Sequence, residues 1–187
     1  MSALGETLQA VARVLDAEEL RWFVFGAQAV AVRAAPRATQ DVDITVEVDR
    51  GRLAALASEL ERAGLRHRYP DIADELLRSG AVLPMQHESG MELDLVLAGP
   101  GLEALALDRA ERLSIDGVHV PVAHATDLIV MKVLAGRGKD QDDVRALIAT
   151  GEADLGEVRN LLEQLESALG QSDLLPLFES AVADVEG

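Results

Sequence analysis

Residues 22–32 read Trp22-Phe23-Val24-Phe25-Gly26-Ala27-Gln28-Ala29-Val30-Ala31-Val32, and residues 41–48 read Asp41-Val42-Asp43-Ile44-Thr45-Val46-Glu47-Val48. The first stretch is a short apolar strand stopped by Gly26 and followed by a helix of small residues. The second alternates strictly. Acids and Thr45 lie on one face and Val42, Ile44 and Val46 on the other, the period of a half-buried strand. Between them, residues 34–40 form a loop, because Pro36 lacks an N–H and restricts the residue before it. Strand, glycine, helix, loop and strand therefore deliver Asp41 and Asp43 to one strand face.

Outward from this unit, Ser2–Ala17 predicts an amphipathic helix, with Leu4, Leu8, Val11 and Leu15 at helical spacing. Downstream, the pattern predicts a helix over 51–63, a weak strand Leu65–Tyr69 and a short helix Asp71–Arg78. Ala81–His87 and Met91–Leu97 are strands joined at Ser89-Gly90, and Leu102–Ala110 is helical. Arg112–Ile115 and Val118–Val122 flank Asp116-Gly117, a type I′ hairpin signal. From Asp127 onward only helical periods remain, over 127–135, 140–149, 154–169 and 173–184. The expected fold class is α+β (α/β): a mixed sheet covered by helices, with a C-terminal helical cap. The expected organisation is one compact unit, a core over 1–124 with a helical segment 125–187 packed on it.

Composition narrows the function. The chain of 187 residues is 49% apolar and 27% charged, the mix of a globular protein able to bury a core. It has no cysteine, which excludes disulfides, thiolate zinc sites and cysteine nucleophiles. No apolar run approaches a membrane span and the N-terminal thirty residues carry Glu6, Asp16, Glu18 and Glu19, so a cytoplasmic location and no membrane partner are expected. The net charge of −16 disfavours a broad nucleic-acid-binding surface. Residues 152–187 hold nine acids against the single base Arg159, half of that charge, which leaves room for a local positive site elsewhere. Lys132 and Lys139 are the only two lysines.

Asp41 and Asp43 are close enough to repel, so one carboxyl pKa rises unless a cation neutralises the pair. Mg²⁺ suits such a pair, since it takes one or two carboxylates together with substrate phosphates; the competing reading is a solvated edge. Asp94 lies with Glu92 and Val96 opposite the apolar face of Leu93, Leu95 and Leu97, and is a candidate third carboxylate of a two-metal phosphoryl site. Gly26 opens a helix through Ala27 and Gln28, where backbone N–H groups can approach phosphate oxygens. No P-loop exists, because position 133 is Val and Asp140 follows Lys139, and no GxGxxG occurs. Lys132 is the one polar residue of Leu128–Leu134, and must snorkel or meet an anion. The expected anion is the Asp41/Asp43/Asp94 cluster or a triphosphate held there. Asp140 and Asp143 fit the N-cap and N3 positions of the next helix. The four histidines show no metal-ligand spacing, the methionines read as core filler, and no G-x-S-x-G elbow is present.

Together these pieces resemble the nucleotidyltransferase superfamily, the polymerase-β-like fold. Phe25-Gly26-Ala27 followed by Arg37-x-Thr39-x-Asp41-x-Asp43 is similar to its signature of a Gly-Gly or Gly-Ser pair before Asp-x-Asp. With Asp127-Leu128-Ile129, Lys132 and Lys139-Asp140-x-x-Asp143-Val144, it looks more narrowly like the AbiEii/AbiGii-type toxin nucleotidyltransferases. The resemblance, over about residues 20–150, implies Mg²⁺ or Mn²⁺ on Asp41, Asp43 and Asp94. It implies nucleotide contacts at Gly26, Ala27, Gln28, Arg37, Thr39, Lys132 and Lys139, and a catalytic role for Asp41, Asp43, Asp94, Lys132 and Asp140. An NTP would donate its NMP to an acceptor hydroxyl or phosphate of RNA, protein or a small molecule, in a toxin–antitoxin or phage-defence setting with a cognate antitoxin or toxin protein. Two alternatives stand beside it: an antibiotic-type small-molecule nucleotidyltransferase, and an inactive relative acting as a binding partner. Ala27, where the family has Gly or Ser, keeps the backbone N–H but loses the hydroxyl.

Overall fold

The structure is a computed structural model that describes residues 2–34 and 41–187, with the side chain of Lys139 outside that description. Helix α1 (Ala3–Ala17) leads into β1 (Arg21–Phe25), α2 (Gly26–Arg33), β2 (Asp41–Glu47), α3 (Arg50–Arg62) and β3 (Leu65–His67). After a 3₁₀ turn at Pro70–Ile72 come α4 (Ala73–Ser79), β4 (Val82–His87), β5 (Glu92–Leu97), α5 (Leu102–Arg109), β6 (Glu111–Ile115) and β7 (Val118–Val122). The chain closes with α6 (Ala125–Ala135), α7 (Gly138–Ala149), α8 (Leu155–Leu169) and α9 (Leu174–Glu186).

The strands form one mixed sheet in the order β3-β4-β5-β2-β1-β7-β6. Strand β2 pairs parallel with β5, and β1 with β7, while the remaining pairs are antiparallel. This is the mixed, helix-covered α/β sheet that the pattern predicts. Trp22, Phe23 and Val24 are buried in succession. Because neighbours on a strand point to opposite faces, β1 is covered on both sides. Helix α1 packs against α3, β1 and β7, whereas α2 packs against β1, β2 and α6. Helix α6 in turn carries α7, α8 and α9.

Local chemistry explains the boundaries. Ser2 caps α1, its Oγ accepting from the Gly5 N–H at 3.2 Å. Asp116, at φ +50, and Gly117, at φ +81, form the left-handed pair that a type I′ turn demands between β6 and β7. The strand predicted to reach Tyr69 stops at His67, since Pro70 starts the 3₁₀ turn. Helix α6 starts two residues before its predicted start because His124 caps it, the ring Nδ1 accepting from the Thr126 N–H at 3.3 Å. A histidine that read as incidental therefore ends a loop. Helix α7 begins at Gly138 with Arg137 as N-cap, which puts Asp140 at N3 rather than at the predicted N-cap. Among the described residues, no helix is long and apolar enough to cross a membrane.

Candidate active site

Strand register builds the site. In the β2–β5 pair, Asp41 lies opposite Glu92 and Asp43 opposite Asp94. Phe25 of β1 lies opposite Asp43, and Pro84 of β4 opposite Asp94. Directly opposed residues share a face, so Asp41, Asp43, Glu92 and Asp94 converge on one side of the sheet. The three aspartates border a cleft of about 390 Å³ whose lining also includes Gly26, Lys132 and Arg137.

Gly26 sits at φ +66, a conformation that L side chains rarely adopt. A Cβ built there would stand 1.9 Å from Asp43 Oδ2. Position 26 therefore needs glycine twice over, once for its backbone and once for the carboxylate laid against it. That contact places Asp43 at the first turn of α2, which begins at Gly26 and has no side-chain cap. Burial, then the charges of Asp41 and Asp94, push the Asp43 carboxyl up to about 6, against the opposing pull of Lys132 and Arg137.

Asp94 is reached from across the sheet. The Arg68 N–H donates to the Pro84 carbonyl at 3.0 Å, which extends the cross-strand row one residue beyond β3. Its side chain crosses β4 at the Pro84 position, the guanidinium donating from Nη2 to Asp94 Oδ1 and from Nη1 to Glu92 Oε2. Burial pushes the Asp94 carboxyl up, and Arg68 pulls against that rise without cancelling it. Sequence reading passed over Arg68. Only the sheet order β3-β4-β5 brings it near Asp94, and a pairing order is not visible in a local pattern.

The basic side of the cleft differs from expectation. Lys132 does not pair with Asp41, Asp43 or Asp94. Its Nζ donates to Asp140 Oδ1 at 3.0 Å and to Asp143 Oδ2 at 2.7 Å, and its side chain is only 7% exposed. Gly136, at φ +63, folds α7 back on α6, so carboxylates eight and eleven positions on meet the ammonium. The signal was present in the sequence: Asp140 and Asp143, three apart, share the helix face just beyond a glycine. Asp140 also accepts from Arg137, at 2.8 Å from Nε and 3.4 Å from Nη2. Burial pushes the Asp140 carboxyl up, yet hydrogen bonds from Arg137 and Lys132 outweigh it and hold the group below its ordinary value. Asp127, part of the quoted motif, is fully buried and anchors α6 instead, accepting from Arg109 at 2.6 Å and 3.2 Å. Arg37 and Thr39 lie outside the described residues, as does the side chain of Lys139. Ala27 and Gln28 are buried in the first turn of α2.

Among the described residues, no group of three acidic or imidazole side chains is arranged to hold a metal ion. Asp94 lines the same cleft as Asp41 and Asp43 but is hydrogen-bonded to Arg68. Asp41 and Asp43 do fit a divalent cation: two hard oxygen donors on one face, one of them held protonated to about pH 6 by burial and like charge. A cation that draws its remaining ligands from phosphate and water asks no more of the protein than this pair.

The family described as "Nucleotidyltransferase of unknown function (DUF6036)" matches residues 2–174. No curated protein matches the chain. Among solved structures, the solution structure of the antibiotic-resistance factor ANT(2'')-Ia superposes with TM-score 0.64 at 17% identity, over 91% of this chain and 95% of that one. The crystal structure of ANT(2'')-Ia with adenylyl-2''-tobramycin gives TM-score 0.58 at 16% identity, over 87% and 96%. JHP933 from Helicobacter pylori gives TM-score 0.50 at 13% identity, over 98% and 80%. At such identities the likeness is one of fold.

Proposed function

Since the chain belongs to the nucleotidyltransferase family of unknown function DUF6036, we propose that it moves an NMP from an NTP to an acceptor hydroxyl or phosphate at the Asp41/Asp43 cleft. The observation that supports this most is Asp43 packed on Gly26. One contact joins a strand carboxylate to the start of a helix whose N–H groups suit phosphate oxygens. In the proposed reaction the acceptor oxygen bonds to the α-phosphorus, the bond from that phosphorus to the bridging oxygen breaks, and pyrophosphate leaves. Asp41 and Asp43 would hold Mg²⁺ or Mn²⁺, which supplies charge neutralisation for the triphosphate when bound. Asp94 lies beyond Asp43 in the row that starts at Phe25, on the side away from Gly26. Held by Arg68, it is the carboxylate we assign to receive the acceptor proton.

The narrower setting, a toxin–antitoxin or phage-defence pair of the AbiEii/AbiGii kind, rests on the sequence motifs. The acceptor class is a matter of product analysis. Incubation with each α-labelled NTP, Mg²⁺ and a cell extract should yield pyrophosphate and transfer label to RNA, protein or a small molecule. Asp43→Asn should abolish that transfer. Thermal stabilisation by no NTP in the presence of Mg²⁺ or Mn²⁺ would reject the reading and leave a nucleotidyltransferase fold serving as a binding partner.

A further inference from the structure

Asp140 and Asp143 take two of the three N–H donors of Lys132 and neutralise its charge, and its side chain is only 7% exposed, so it is poorly placed to be the main contact of a ligand. A cleft lined by Asp41, Asp43 and Asp94 must still meet a triphosphate with positive charge, and among the described residues the same wall carries one exposed cation. Arg137 borders the cleft with its side chain 60% exposed. It forms the joint between α6 and α7 together with Gly136, and it is the N-cap of α7, where its own side chain makes no capping hydrogen bond.

The guanidinium has five N–H donors. Asp140 takes the Nε and one Nη2 donor, and Asp140 is itself only 1% exposed and anchored by the buried ammonium of Lys132. This chain of contacts fixes one edge of the guanidinium, and its Nη1 group donates to no described residue. A cation whose rotamer is held in this way loses little freedom when an oxyanion arrives. Arg137 and Asp43 also influence each other's ionisation, so they occupy the same electrostatic neighbourhood.

We propose that Arg137, oriented by Asp140 and through it by Lys132, binds the β- and γ-phosphate end of the nucleoside triphosphate. This inference rests on the nucleotidyl-transfer reading. Arg137 is the binding residue, and Asp140 and Lys132 are positioning residues. The sequence reading assigned the cationic contacts with the nucleotide to Arg37, Lys132 and Lys139.

The test is calorimetric binding of ATP, AMP and tripolyphosphate to the full chain in Mg²⁺, comparing the parent with Arg137→Gln and Arg137→Lys. Arg137→Gln should weaken ATP and tripolyphosphate by at least tenfold while changing AMP by less than threefold. Arg137→Lys should recover part of the loss, because it restores the charge without the planar fork. The melting temperature of Arg137→Gln should stay near the parent's, since the side chain is exposed. Parent-like binding of ATP by Arg137→Gln would overturn the assignment and leave the transfer reading standing. Equal losses for ATP and AMP would overturn it too, by showing a merely structural effect. A parent chain that binds no triphosphate at all would remove the reading on which the inference rests.

Discussion

Two charged clusters face the same cleft, and they differ in balance. On the α6–α7 wall, Lys132 and Arg137 meet Asp140 and Asp143, two cations for two carboxylates, with contacts of 2.7–3.0 Å. On the sheet, Asp41, Asp43, Glu92 and Asp94 share a face that Arg68 serves from one side. The consequence is visible in ionisation: Asp140 is held below its ordinary range, while Asp43 is pushed up to about 6. The matched cluster stabilises the fold and leaves the exposed edge of Arg137 for a ligand. The unmatched one, with more carboxylates than cations among the described residues, carries a cost at Asp43 that a bound cation would relieve.

The sharpest way to break this comparison is Lys132→Met. On the sequence alone, this change should spare the fold. The structure reverses that expectation, because removal of the ammonium takes a hydrogen-bonding partner from each of two buried carboxylates, Asp140 and Asp143. Losing one partner of a buried pair costs about 3–5 kcal/mol, so the variant should melt far below the parent. A melting temperature within a few degrees of the parent's would show that the cluster is not matched as described.

Asp43→Asn should act with the opposite sign. The folded-state value of about 6 lies above the ordinary 3.8, so ionising Asp43 favours the unfolded chain. Its favourable contribution is complete below about pH 4 and is lost as the pH rises through about 6. Without metal, Asp43→Asn should therefore match the parent at pH 4 and exceed it at pH 8, by up to about 3 kcal/mol at 1.36 kcal/mol per unit. Denaturant titrations at the two pH values measure this, and equal stability at pH 8 would count against an unmatched cluster.

Gly26→Ala probes the junction between the clusters. The left-handed backbone alone costs about 1–2 kcal/mol, and the new methyl must displace the Asp43 carboxylate. A modest drop in melting temperature should accompany a complete loss of NTP-dependent stabilisation. Retained NTP binding would separate Gly26 from the site.

The smallest effect belongs to Arg68→Met. Arg68 and Asp94 are both partly exposed, and solvent-screened pairs contribute about 1 kcal/mol or less. Stability should barely change, yet the Asp94 carboxyl should titrate higher still, because Arg68 pulls its pKa down. Carboxyl-carbon NMR of Asp94 reads this directly, and an unmoved titration would remove Arg68 from the site.

The sequence by itself determined the elements and the acidic half of the cleft. The alternation of Asp41–Glu47 and Glu92–Leu97 placed three carboxylates on polar strand faces, because a strand's period of two is a local property. The Gly26 junction and the Asp116-Gly117 turn were equally legible, since positive φ is a single-residue requirement. Tertiary structure alone decided which charges meet. That Asp43 lies beside Asp94 depends on β2 and β5 pairing in parallel and in one register. That Arg68 reaches Asp94 depends on β4 lying between β3 and β5 with Pro84 in register with both residues. Lys132 belongs to Asp140 and Asp143 because α7 folds back at Gly136, and Arg33 pins α2 to the Ala123 carbonyl and Glu111 across the fold for the same kind of reason. Periodicity reports the side on which a charge stands. Only the packing of elements distant in sequence sets the few ångströms that make one carboxylate its partner and leave another for a ligand.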